Sequence, residues 1–185
     1  QGIHYICNPF LDSSLKPKYS YDLNFVNLAI GKHEFNYQVD TSLFETQGST
    51  DFKEVNCSVR VYLNKQERLM SFDFEIDGNI KTICDRCGEE LQIDLSVENN
   101  LVVRFAEEAD FTDDEVIFIK ENDTSIDLGQ FIYEYIMVGV PTRVVHEEGK
   151  CDPAVLRYLE EVSEEEEKKD NELDPRWEAL KKFKN

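Results

Sequence analysis

The sequence predicts an α+β fold: a curled antiparallel sheet, open-barrel or sandwich-like, with helices in the C-terminal part. Two observations carry this. Apolar and polar residues alternate along most of residues 20–120, the period of a half-buried strand, and beyond residue 125 the apolar ones recur every three to four positions, the period of a helix. The segments between the strand candidates are short, which antiparallel neighbours allow and parallel ones do not.

The strand candidates follow in order. Tyr21, Leu23 and Phe25 alternate in "YSYDLNF", and Phe35, Tyr37 and Val39 in "HEFNYQV". In "EVNCSVRVYL", Val55, Cys57, Val59, Val61 and Leu63 share one face, so Cys57 reads as a core thiol. "NKQER" is a polar turn, after which Met70, Phe72, Phe74 and Ile76 alternate. "DGN" reads as a tight turn, because Gly78 tolerates positive φ. A strand resumes at Ile80, and Leu91, Ile93, Leu95 and Val97 form another; "NNLVVRF" and "EVIFIK" read as two more. His33, after "GK", reads as a turn residue.

Then the period changes. Leu128, Phe131, Ile132, Tyr135 and Ile136 lie on one helical face, with Asp127 as N-cap, Gln130 at the capping-box position and Pro141 as a stop. A short second helix is expected at "CDPAVLRYLEEV", capped by Asp152 with Pro153 at its first position. The organisation expected is residues 1–17 as a flexible leader or expression remnant, 18–162 as one α+β domain, 163–173 as a solvated acidic linker and 174–185 as a terminal helix. In that helix Trp177, Leu180 and Phe183 form an apolar stripe beside Lys181 and Lys182. The stripe either docks on the chain's own sheet or binds a partner or RNA.

Charge narrows the function classes. The 185 residues include 39 acidic and 20 basic ones, for a net charge of −19. That field repels phosphate and argues against tight, broad binding to nucleic acid through counterion release. Local contact remains open at Arg60, Lys65 and Arg68, or at Arg176, Lys181 and Lys182, as does a basic protein partner. No run of 18 apolar residues exists and the start lacks the pattern of an export signal, so a cytoplasmic chain without a membrane span is expected. Small-molecule chemistry is not expected either: no phosphate-binding glycine loop is visible, and no base or oxyanion site is arranged around a nucleophile.

The five cysteines are odd in number and unevenly spaced, which disfavours a disulfide framework. Cys84 and Cys87, followed by Gly88, lie in a turn between strands, where two sulfurs can converge. Zinc needs four nitrogen or sulfur ligands, and His146 and Cys151 are the remaining candidates outside the leader and the core. The 58 residues between the two halves are not diagnostic, so three readings stand: structural zinc, free packed thiols, or a redox pair. The last is disfavoured, because redox thiols usually open a helix whose dipole lowers their pKa.

Three segments in order, "CDRCGEELQIDLSVE", "IDLGQFIYEYIMVGVPTRVVHEEGKC" and "DPRWEALKKFK", resemble the YceD family, known as large ribosomal RNA subunit accumulation proteins. The resemblance implies a non-enzymatic bacterial factor needed for accumulation of 23S ribosomal RNA and for large-subunit assembly. Its expected partners are that RNA or a basic ribosomal protein. It also implies a metal site at Cys84, Cys87, His146 and Cys151, while Arg176, Trp177, Leu180, Lys181 and Lys182 are the tail's own candidates for partner or RNA contact. The alternative is an acidic adaptor or chaperone for a basic ribosomal protein, without direct RNA contact.

Overall fold

A computed structural model describes residues 20–49, 51–105, 116–120 and 122–169. The expected leader, most of the tail after the second helix, and the tail candidates Arg176, Trp177, Leu180, Lys181 and Lys182 lie outside the described residues. The chain divides into two compact units. The first runs to Ile83 and resumes over Glu90–Thr142; the second comprises Cys84–Glu89 and the chain from Arg143 onward. The expected 18–162 domain thus falls in part in each.

In the first unit, β1 (Asp22–Asn24) carries the first alternation, and β2 (Gly31–Asp40) the second, with His33 inside the strand rather than in a turn. A short helix, α1 (Thr41–Thr46), follows; Asp40 caps it by accepting from the Ser42 N–H at 3.1 Å, and Leu43 and Phe44 are buried. The sequence reading passed over this helix because six residues carry too little period. Next come β3 (Glu54–Lys65), β4 (Leu69–Ile83), β5 (Glu90–Phe105), β6 (Val116–Ile119) and β7 (Ser125–Asp127). Helix α2 (Gly129–Gly139) closes the unit.

The main sheet has the order β2-β3-β4-β5-β6 and stays open; β1 and β7 form a separate antiparallel pair. β2 to β5 are antiparallel neighbours, as expected, but β6 joins β5 in parallel, so the sheet is mixed. The polar turn after β3 is tight: the Gln66 N–H donates to Leu69 O at 2.8 Å.

The alternating faces sort as their period requires. Val55, Cys57, Val59, Val61 and Leu63 of β3 and Met70, Phe72, Phe74 and Ile76 of β4 are buried. Leu128, Ile132 and Ile136, the expected helix face, are buried in the same core. Phe74 meets Tyr135 edge-on at 5.2 Å between ring centroids, and Phe44 meets both Phe52 and Tyr133 at 5.3 Å. Each fully buried ring contributes roughly 1.5–3 kcal/mol of transfer free energy.

Two expected breaks are not breaks. β4 passes straight through "DGN", with Gly78 opposite Cys57 on β3 and Leu95 on β5 and without positive φ. A Cβ at Gly78 would come within 2.5 Å of Cys57 Cα and nearer still to Asn56 O. The glycine serves close approach of two backbones, not a turn. Likewise β5 is continuous through Asn99 and Asn100, because Asn100 Nδ2 donates to Asp73 Oδ1 of β4 at 2.8 Å on the exposed face.

The capping box is also absent. Asp127 Oδ1 accepts from the Gly129 N–H at 2.8 Å from the end of β7, while Gln130 turns along the helix to donate to Glu134 at 3.0 Å. Val140 is extended ahead of Pro141, which ends α2 as expected.

In the second unit, α3 spans Pro153–Lys169. Its start is as expected: Asp152 Oδ1 accepts from the Ala154 N–H at 2.8 Å, and Pro153 occupies the first turn. The helix continues to Lys169, through residues expected to be linker. Glu and Lys are good helix formers, and a run of them without Gly or Pro has no reason to stop. No helix among the described residues is long and apolar enough to cross a membrane.

Candidate metal centre

The residues between β4 and β5 form a tight knuckle. The Cys84 N–H donates to Glu89 O at 2.8 Å, and the Gly88 N–H donates to Cys84 O at 2.9 Å. Gly88 has φ +77°, a left-handed conformation that favours glycine, and it swings the chain back so that both sulfurs face one point. Facing it, residues 143–151 make a second turn. The Lys150 N–H donates to Glu147 O at 3.0 Å, and Gly149 has φ +80°.

The two turns are laced together by Asp85. Its N–H donates to Val144 O at 2.8 Å, and its Oδ2 accepts from the Val144 N–H at 2.6 Å. The sequence reading missed Asp85; the one clue was an acid inside a Cys-x-x-Cys turn, a residue type that bonds nearby backbone.

Ligand atoms of Cys84, Cys87, His146 and Cys151 all lie within 4.8 Å of one another. The structure thus brings together the four residues singled out from their spacing, and as a set they could hold a metal ion. Cys84 Sγ is 3.9 Å from Cys151 Sγ; His146 Nδ1 is 3.4 Å from Cys87 Sγ and 3.9 Å from Cys151 Sγ. Zinc bonds of about 2.3 Å to sulfur and about 2.0–2.1 Å to nitrogen, placed tetrahedrally, set sulfurs about 3.8 Å apart and sulfur about 3.5 Å from nitrogen. The donor set fits that ion in type, number and spacing.

Electrostatics fit as well. Burial pushes the Cys84 thiol up, but the backbone N–H groups of His146, Cys87 and Arg86, with the Cys87 side chain, outweigh it and bring it down to about 5. Two of these amides are close: Arg86 N lies 3.4 Å and His146 N 3.5 Å from Cys84 Sγ. The N–H groups of Asp152 and Glu89 hold Cys87 below its usual range. Cys151 is raised, first by burial and then by the neighbouring Cys84 and Cys87. Two of the thiols are thus shifted toward the thiolate and the third is held up by burial and by its neighbours, and a bound cation would favour the thiolate at all three. Arg86 Nη1, 4.0 Å from Cys151 Sγ, adds positive charge on that side.

The remaining candidates sort differently. Cys57 is fully buried in the sheet core, and burial pushes its thiol up to about 11, which suits a packing role. Arg60 pairs with Glu75 at 3.0 Å and Asp77 at 3.6 Å across the exposed sheet face. Lys65 Nζ donates to the carbonyls of Phe25 at 2.8 Å and Leu28 at 2.7 Å, so it clamps the β1–β2 connection.

Comparison with known proteins follows this geometry. Residues 72–184 match the family described as "Large ribosomal RNA subunit accumulation protein YceD". A curated relative, described as "Uncharacterized protein YlbN", from Bacillus subtilis (strain 168), is 28% identical over 157 residues, covering 82% of this chain and 89% of its own. No solved structure matches the chain at a significant level. The family match takes in both halves of the Cys/His cluster and more than half of the sequence, and the chain belongs to the YceD family.

Proposed function

We propose that this protein is a non-enzymatic ribosome biogenesis factor, needed for accumulation of 23S ribosomal RNA and assembly of the large subunit in the cytoplasm. In this reading Cys84, Cys87, His146 and Cys151 hold a structural zinc. Arg176, Trp177, Leu180, Lys181 and Lys182 meet the partner, either the RNA or a basic ribosomal protein. The observation that carries the reading is the family match, whose description ties the family to large-subunit RNA and whose residues include the whole cluster and most of the tail. The chemistry supports a structural rather than catalytic metal: three sulfurs and an imidazole fill a tetrahedron and leave no open position for substrate or water.

Affinity purification from cells, with sequencing of the associated RNA, tests the role. Large-subunit RNA or large-subunit proteins are expected, and recovery of neither overturns it. The net charge of −19 favours a second reading, an acidic adaptor or chaperone for a basic ribosomal protein. Nuclease treatment separates the two: binding through RNA is lost, and binding to a protein survives. For the metal, about one zinc per chain is expected in protein purified without a metal-affinity tag, and none after Cys84→Ser.

A further inference from the structure

The second unit holds three arginines that no carboxylate claims. Lys53, Arg60 and Lys81 of the sheet pair with Glu90, Glu75 and Glu54, and Lys150 of the second unit pairs with Glu147. Arg86, Arg143 and Arg157 enter no ion pair among the described residues, in a chain with 39 acidic residues to offer.

The lacing of the two turns sets two of these arginines side by side. The turns run in opposite directions: the His146 N–H faces Cys84 Sγ, and Asp85 makes two hydrogen bonds with Val144. The next pair in that register is Arg86 with Arg143, the first half-buried and the second exposed. Like charges opposite each other repel, so the pair is disfavoured until an anion lies between them. Arg86 turns Nη1 toward Cys151 Sγ at 4.0 Å, but a guanidinium has five N–H donors, and the others remain for an acceptor.

Arg157 is exposed in the second turn of α3, and Tyr158 beside it is 65% exposed. Unpaired guanidinium groups next to an aromatic ring in water suit single-stranded nucleic acid, which offers phosphates to the first and bases to the second. We infer that the second unit binds single-stranded RNA, with Arg86, Arg143 and Arg157 on its phosphates and Tyr158 stacked on a base. This rests on the RNA form of the ribosomal role and needs no part of the tail.

Charge sets the limits of the contact. The glutamates at 164–167 begin seven residues beyond Arg157, about 10–15 Å along the helix. That exceeds the ~8 Å screening length at physiological salt, so their repulsion is largely screened there. Glu160 and Glu161 lie closer and confine the contact to the first two turns of α3.

Fluorescence anisotropy of the full-length protein with labelled single-stranded transcripts tiling large-subunit ribosomal RNA tests the inference. Arg143→Gln and Arg157→Gln should each weaken binding roughly tenfold, with circular dichroism and zinc content retained. Each should also flatten the dependence of log affinity on log salt by about 0.7. Tyr158→Ala should weaken binding roughly 5- to 150-fold, whereas Tyr158→Phe keeps the ring and should bind as the parent does. Arg104→Gln removes an exposed charge from the sheet unit and should leave the affinity unchanged. Binding that ignores the Arg143, Arg157 and Tyr158 substitutions overturns the inference and leaves the ribosomal role standing. Absence of binding by the parent protein overturns it as well, and recovery of large-subunit proteins from cells would then favour the adaptor reading.

Discussion

Each of the two units is stabilised internally by different means. The sheet unit has a continuous apolar core, running from Tyr21 through the faces of β3 and β4 to Ile136. In the second unit, the fully described buried hydrophobic residues are Cys84, Val144 and Cys151, two of which are candidate metal ligands. A unit this small cannot bury enough apolar surface to offset its chain entropy, and a metal is one of the few remedies. In the proposed reading, the four clustered residues there take the place that phenylalanines hold in the sheet.

That contrast can be broken, beginning with the largest effect. Removing the metal with a chelator, or substituting Cys84→Ser, should abolish protection from hydrogen exchange over 84–89 and 143–169 while β3 and β4 stay protected. Retained protection in metal-free protein would mean that the second unit has other support. Phe72→Ala, at a fully buried position, should do the reverse: a loss of about 3–5 kcal/mol in urea unfolding of the sheet, with metal content unchanged.

Next in size, Asp85→Ala should weaken metal affinity about 10- to 100-fold in a competition titration, because it unlaces the two turns without touching a ligand. Gly78→Ala should cost about 1–3 kcal/mol of sheet stability by crowding Cys57 and Asn56, whereas a turn glycine without positive φ would accept alanine freely. At the small end, Lys53→Gln, which removes a 2.6 Å ion pair to Glu90 with both side chains in solvent, should leave the urea midpoint where it was.

Much of this was legible from the residues. The period-two faces of β3 and β4 announced themselves because burial on one side forces alternation, and α2 did so through the shift to a 3.6 period. The four residues that cluster were legible by elimination, since few histidines and thiols remained once Cys57 was assigned to the core. What failed shares a cause: local signals were given long-range meaning. Gly78 and Asn99–Asn100 look like punctuation, yet neighbouring strands fix both inside a ladder. The parallel seat of β6 depends on where the chain returns to the sheet, which no local pattern encodes. Asp85 and Arg86 work across the gap between two distant turns, so only the assembled site gives them a role.

The separation of the two half-sites along the chain has a consequence in time. Cys87 leaves the ribosome 64 residues before Cys151. At synthesis rates of about 5–20 residues per second, that delay is roughly 3–13 s. For that interval the knuckle has two sulfurs and no partner turn. The sheet strands up to β4 are complete by then, but the second unit is not. If the cluster holds the proposed zinc, the nascent chain passes through a stage in which a half-built site must be kept from oxidation and from wrong metals before the last cysteine closes it.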